Sequence, residues 1–449
     1  LATVEVLQLA GTLRTFIKYA AYSLLVWALV KVVLDMVFLG LHQRRMRRRV
    51  INPDFTPSVA VIVPAYNEAE SIGDALRTIA ASDYPIREIV VVDDGSKDGT
   101  AQIARDLGIP NVTVIEQTNA GKAAALNRGV REATAEIVVC VDADTVFQAD
   151  TVTWIVQPFI DPAVGAVSGN VKVGNRRSLL GKWQHVEYSY GQQTERRAQE
   201  MLRVTWCIPG AIGAFRRIAL LEAGGFTTDT MAEDTDTAVQ VHLEGWGSVF
   251  EPRSIAWTEV PTNVRALWRQ RMRWHFGNYQ VLWKQRAQVF KRPRRFGLLM
   301  MPYSFISLVA MPLALPIIDV LALVQIIVNG PGTVVYLWIL LGGLTALSAV
   351  IALRTNGERI RSIVHLPMQQ IVYRWAYIVL SLKALYMALS SSLVAWNKPA
   401  RRGEAGAALF ATTAKHGAES TVIDLTRPVV GATVVEVADG NTENELRAP

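Results

Sequence analysis

Cysteine is nearly absent: Cys140 and Cys207 are the only two in 449 residues. They show no CxxC spacing, which excludes a disulfide framework and fits a reducing cytosolic face. Charge is scarce as well. Only 19% of residues are Asp, Glu, Lys or Arg, against 51% hydrophobic, a balance too apolar for an ordinary soluble protein. No GxxxxGK(S/T) loop occurs, so a P-loop nucleotide site is excluded. Long apolar runs are missing from residues 53–261 but not from the flanks. The remaining class is a membrane protein with a large soluble part.

A bilayer core of about 30 Å takes roughly 20 apolar residues at helical rise. Phe16–Leu41 supplies them, blemished by Lys18, Lys31 and Asp35. It is too long for a signal peptide, and no small-residue cleavage site comes after it. Arg44, Arg45, Arg47, Arg48 and Arg49 come directly after. With net charge +7, this cluster reads as a positive-inside flank rather than a nucleic-acid footprint, placing the chain from residue 44 onward in the cytoplasm. Three more apolar runs close the chain: Phe296–Val328, Thr333–Leu353 and Pro367–Trp396. The first contains Pro302, Pro312, Pro316 and Asp319, and the turn Asn329-Gly-Pro-Gly332 ends it. Three crossings would put the C-terminus outside, yet Lys398, Arg401 and Arg402 favour the inside. One run must therefore be interfacial, re-entrant or doubled. The tail after residue 398 lacks periodicity and reads as disordered.

Between Ser58 and Asp144 short apolar runs alternate with helical stretches. Val59–Val63, Ile89–Val92, Val112–Ile115 and Ile137–Val141 are rich in β-branched residues. Stretches such as Glu68–Ala81 and Thr100–Leu107 separate them. Such runs predict strands buried on both faces of a parallel sheet. Their polar residues gather at the strands' C-terminal ends, where open α/β sheets bind ligands.

The acidic residues sharpen this. Asp142 and Asp144 stand two apart at a strand end, so both carboxylates can approach one hard divalent cation shared with a substrate phosphate. Asp93 and Asp94 close another run before Gly95-Ser96, where a turn or cap role competes with a binding one. Lys122 lies near a helix start and can reach a diphosphate, or stand as an exposed helix lysine. Glu233-Asp234 precedes the helical stretch Thr235–Glu244, where an acidic residue is first of all a cap.

Taken in order, these pieces resemble the family 2 glycosyltransferases, specifically the membrane-embedded processive synthases. They are Val63-Pro-Ala-Tyr-Asn-Glu68, Val92-Asp-Asp-Gly-Ser96, Gly121-Lys122, Asp142-Ala-Asp144, Gly210–Arg217, Glu233-Asp234 and Gln270-Arg-Met-Arg-Trp274. The last is similar to the Q(Q/R)xRW signature of cellulose, chitin, hyaluronan and poly-N-acetylglucosamine synthases. The resemblance implies an α/β GT-A fold, a mostly parallel Rossmann-like sheet, combined with transmembrane and interfacial helices. It implies a UDP-sugar donor with Mg²⁺ or Mn²⁺. Tyr66, Glu68 and Asp94 would line the uridine pocket, and Lys122 would lie near the uracil or diphosphate. Asp142 would approach diphosphate and metal, and Asp144 would ligate the metal. Asp234, with Glu233 beside it, would be the catalytic base.

The stretch Leu267-Trp-Arg-Gln-Arg-Met-Arg-Trp274 divides on a helical wheel. Val264, Trp268, Met272, Phe276, Tyr279 and Trp283 form one apolar stripe, expected to face lipid. Gln270, Arg273 and Trp274 fall within about 100° of one another on the other side. An aromatic beside Gln and Arg suits a sugar chain's end: apolar sugar faces stack on Trp while hydroxyls meet the polar groups. Arg271 lies nearer the stripe and is expected to snorkel to lipid phosphate.

The expected organisation is a transmembrane helix with a basic flank over 1–50, a cytosolic catalytic domain over 51–262, an interfacial helix over 263–295, membrane helices over 296–397 and the tail. The expected activity is elongation of a polysaccharide from a UDP-sugar, most simply N-acetylglucosamine, by a multi-pass enzyme of the plasma membrane. Its partners would be the donor, the growing polymer and the bilayer, with no nucleic acid. Hyaluronan-type and glucan-type synthesis, and a non-processive transferase with a lipid-linked acceptor, are the alternatives. A transporter is disfavoured by few spans and no Walker motif, and a nucleotidyltransferase by the lack of a Gly-rich loop before the first strand.

Overall fold

In the computed structural model, the described residues are 2–389, apart from 292, 294, 330 and 331, together with Ala405. The tail expected to be disordered, 398–449, lies outside them except for Ala405, which packs against Val146 and Trp257.

Eight strands form one mixed sheet: β1 Val59–Ala65, β2 Glu88–Asp93, β3 Val112–Glu116, β4 Ile137–Cys140, β5 Val146–Phe147, β6 Val164–Val173, β7 Gly213–Arg216 and β8 Gly247–Thr258. Their order is β3-β2-β1-β4-β7-β6-β8-β5. The first four are parallel, as expected, with Val61 opposite Ile89 on one side and Val139 on the other. From β4 onward the sheet is mixed, β7 running antiparallel to both β4 and β6.

Alternation along β1 explains how two faces are filled. Val59, Val61 and Val63 pack against Ile72, Leu76 and Ile79 of the helix Ile72–Ala80. Ala60 and Ile62 point the other way, to Ala125, Leu126 and Val130 of the helix Lys122–Glu132. At Gly129 that helix comes so close that a Cβ would collide with Ile62. Expected burial on both faces fails only at β3, the sheet edge, where no residue is fully buried.

Among the described residues, three helices are long and apolar enough to cross a membrane: Leu25–Arg47, Arg295–Leu321 and Val335–Thr355. The first ends the long helix Ala2–Arg47. Part of its basic flank does not meet lipid. Arg49 instead pairs with Glu200 and, at 2.9 Å, with Glu251, two side chains buried in the soluble domain. The fourth apolar run, in its described part, forms the helix Arg374–Leu389 and lies against the helix Val264–Lys284. This corrects the stripe's expected role. Met272, Phe276 and Tyr279 are covered by Leu380 and Ala384, and only its ends, Val264 and Trp283, are exposed.

Candidate active site

The strand order reverses between β1 and β4, since β1 continues toward β2 on one side and β4 toward β7 on the other. At such switch points the loops leaving neighbouring strands diverge and open a crevice. Here the crevice deepens into a cavity of about 350 Å³. Every site residue expected from the sequence lines it: Tyr66, Glu68 and Asp94 from the loops after β1 and β2, with Lys122, Asp142, Asp144, Glu233, Asp234, Gln270, Arg273 and Trp274.

Asp93 and Asp94 divide the two roles the sequence left open. Asp93 accepts from the backbone N–H of Ser96 at 3.3 Å and so holds the turn. Asp94 faces the cavity, and its carboxylate accepts from the backbone N–H groups of Ala120 and Gly121, both at 2.8 Å. Those amides lead directly into the helix that begins at Lys122. Asp94 thus fixes where Lys122 starts; its Oδ1 also accepts from Gln117 Nε2 at 2.8 Å, while Oδ2 keeps a further lone pair for a ligand. Asn67 takes a left-handed conformation with φ of 50°, tolerated by Asn. Its side-chain oxygen accepts from Lys97 N–H, tying the β1 loop to the β2 loop.

Lys122 is no surface lysine. Its Nζ lies 2.6 Å from Asp142 and 3.4 Å from Glu233. Burial disfavours its charge, but Asp142 and Glu233 outweigh burial and hold its pKa above the usual lysine range. Asp234 opens the helix Glu233–Leu243 and accepts from Thr235 N–H at 2.8 Å and from Cys207 Sγ at 3.4 Å. Burial, then the neighbouring Glu233 charge, raises its pKa above the ordinary carboxylate range. A carboxylate shifted this way is a better proton acceptor when ionised.

Asp144 is buried, with Thr258 Oγ1 at 3.5 Å from both of its oxygens. Among the described residues no group of three or more His, Cys, Asp or Glu converges on a metal position. That donor set suits Mg²⁺ or Mn²⁺ in a nucleotide site, where one or two carboxylates suffice and phosphates and water complete the shell. It does not suit a resident structural zinc.

Arg271 departs from expectation. It is buried, donates to Glu187 Oε2 at 2.8 Å, and lies 4.3 Å from the Trp274 ring centre. Burial opposes its charge, but Glu187 prevails and its pKa rises. The lipid-snorkelling role is therefore wrong: Arg271 backs Trp274 from inside the protein. Trp274 O in turn accepts from Asn278, whose side-chain oxygen accepts from Trp206 Nε1 at 2.7 Å.

The sequence motifs missed one wall. Gln192, Glu195, Arg196 and Gln199 line the cavity from the segment that includes the helix Gln193–Met201. Their one sequence signal is a polar, helical-period run between two strands, which an exposed helix would show equally.

Residues 57–277 match the family described as "Glycosyltransferase like family 2". The chain is similar to the poly-beta-1,6-N-acetyl-D-glucosamine synthase of Staphylococcus aureus (strain COL), 34% identical over 247 residues that make up 54% of this chain and 60% of that one. The synthase of the same description from Staphylococcus epidermidis is 36% identical over 227 residues, 50% of this chain and 55% of that one. The alignments thus span 55–60% of the length of these curated relatives. Among solved structures, a mannosyltransferase from Pyrobaculum calidifontis, in complex with GDP-Man and Mn²⁺, is 28% identical with a TM-score of 0.60, covering 84% of this chain and 100% of that one. Sheet, crevice and sequence agree that residues 57–277 are a family 2 glycosyltransferase domain of GT-A architecture.

Proposed function

We propose that this protein is a processive, inverting transferase that extends a polysaccharide with N-acetylglucosamine from its UDP-linked form. The observation that carries this reading is a cavity lined both by carboxylates with Lys122 and by the Gln270, Arg273 and Trp274 cluster. A donor-only enzyme needs the first set, and a polymer end explains the second. The similarity to poly-beta-1,6-N-acetyl-D-glucosamine synthases supports the choice of sugar.

The chemistry derives from the side chains. Tyr66, Glu68 and Asp94 hold the uridine, and Trp274 with Arg273 and Gln270 holds the terminal acceptor sugar. Asp234, with Glu233 beside it keeping its proton affinity high, takes the proton of the acceptor hydroxyl. That oxygen bonds to the anomeric carbon as the bond from this carbon to the diphosphate breaks on the opposite face. UDP leaves with the electron pair, and the anomeric centre inverts. Lys122 neutralises charge growing on the diphosphate. A divalent cation held by Asp142 and Asp144 would, when bound, add Lewis-acid stabilisation there. The catalytic domain lies on the cytoplasmic side, with the apolar helices spanning the membrane.

A second reading has a specific observation behind it: the mannosyltransferase structure aligns over its whole length. In that reading a GDP-sugar is transferred once to a single acceptor. A panel of UDP-N-acetylglucosamine, UDP-glucose, UDP-glucuronate and GDP-mannose, given to the purified protein with Mg²⁺ or Mn²⁺, separates the two. Polymer from UDP-N-acetylglucosamine alone is expected. A requirement for paired donors points to a hyaluronan-type enzyme, UDP-glucose use to a glucan synthase, and single transfer from GDP-mannose to the second reading.

A further inference from the structure

Two enclosed polar atoms in residues of the cavity wall lack a hydrogen-bond partner among the described residues. One is a donor, Nη1 of Arg196, and the other an acceptor, Oε1 of Gln270. Arg196 lies on the wall the sequence motifs do not reach. Its Nη2 touches only the side-chain oxygen of Gln192, at a long 3.5 Å. No ion pair holds it among the described residues, although Asp234, Tyr188 and Glu195 are near enough to feel its charge. An enclosed guanidinium N–H without an acceptor is costly, and so is an enclosed amide oxygen without a donor. Both costs vanish when a ligand supplies the missing partners.

The ligand must therefore offer an acceptor to Arg196 and a donor to Gln270. A secondary amide offers both, through its carbonyl and its N–H. A carbonyl oxygen also concentrates more negative charge than a hydroxyl, which makes it the better partner for a cation.

We propose that Arg196 and Gln270 form an acceptor subsite that grips the acetamido group of the terminal sugar, Arg196 donating to the carbonyl and Gln270 accepting the N–H. The proposal rests on the synthase reading above and assigns the acceptor's identity to two residues. Arg196 is a binding residue: it recognises the sugar and takes no proton.

The test uses the full chain in detergent, saturated with UDP-N-acetylglucosamine, and oligosaccharides of the linkage it makes, with and without their N-acetyl groups. Wild type is compared with Arg196→Gln and Arg196→Lys, and UDP affinity by calorimetry reports a folded donor site. Wild type is expected to prefer the acetylated acceptor by about 10- to 100-fold in kcat/KM. Arg196→Gln removes that preference by raising KM for the acetylated acceptor alone, Arg196→Lys restores part of it, and UDP affinity stays within about twofold. An unchanged preference, an equal loss on both acceptors, or lost UDP affinity in both variants overturns the proposal. A wild-type protein that elongates neither acceptor from any donor defeats the synthase reading instead, so the two failures are distinct.

Discussion

At Gly210 a missing side chain lets Lys122 and Asp142 meet. A Cβ there would collide with Lys122 Nζ and crowd Asp142 Oδ1 at 3.3 Å. The lysine tip is flexible, so the cost falls on the site rather than on the fold. Gly210→Ala is expected to shift Tm by no more than about 2 °C while lowering donor turnover about tenfold or more. Wild-type turnover in this variant would mean that Lys122 does not stabilise the leaving group from where it stands. Single residues are legible in the sequence where a local pattern marks them. Asp94 and Asp142 end apolar runs, and Asp234 opens a helix. Arg271 escapes a helical wheel because its partner, Glu187, lies 84 residues away: a wheel gives the face a residue takes but not what covers it. Arg196 carries no mark beyond the polar run it shares with its neighbours, since an unmade hydrogen bond has no sequence pattern.

The helix Val264–Lys284 touches the segment before Asp234, the proposed base, through another glycine. A Cβ on Gly277 would stand 2.8 Å from Ala232 N and 2.9 Å from Met231 C, which are backbone atoms with little room to yield. Met231 N–H also donates to Gln280 on the same helix, at 2.9 Å. The helix that carries Gln270, Arg273 and Trp274 is thus joined to the segment before Asp234 at both Gly277 and Gln280. Gly277→Ala should push the helix away, leave UDP affinity within about threefold, and cut transfer on the order of a hundredfold. Parallel losses in both would show that the helix supports the whole cavity instead. Elements are legible unevenly. The first four strands are continuous apolar runs, whereas β6 contains Gly165, Ser168, Gly169 and Asn170 and β8 contains Glu251, Pro252 and Arg253. These polar residues are satisfied by long-range partners, as when Asn170 donates to Pro252 O at 2.8 Å. No period-2 scan shows such pairing.

The soluble domain and the apolar helices are fastened together at both ends. Arg49 pairs with Glu200 and Glu251 where the first helix ends. After the helix Thr333–Thr355, Glu358 reaches Lys172 at 3.0 Å, Arg176 at 3.1 Å and His185 at 3.3 Å. Burial works against the Glu358 charge, but His185, Lys172 and Arg176 outweigh it and depress its pKa well below the carboxylate range. A depressed carboxylate pKa stabilises the fold above the ordinary value near 4.5, and that stability is lost as pH falls through the folded value. At pH 7 the contribution is complete. Glu358→Gln should therefore cost about 3 kcal/mol at neutral pH by stranding buried cations, seen as a Tm lower by roughly 6–12 °C. The gap should narrow as acid protonates the wild-type carboxylate. A variant as stable as wild type at pH 7 would leave the cluster with no fastening role.

That second fastening bears on the count of crossings. Residues before 285 and residues 356–358 both sit against the same soluble domain. A length of chain that leaves a surface and comes back to it passes through any layer an even number of times. As membrane spans, the two long apolar helices between these points, ending in Leu321 and Thr355, would form an outbound and a return leg, which hands the parity of the crossings to the apolar run that comes after them.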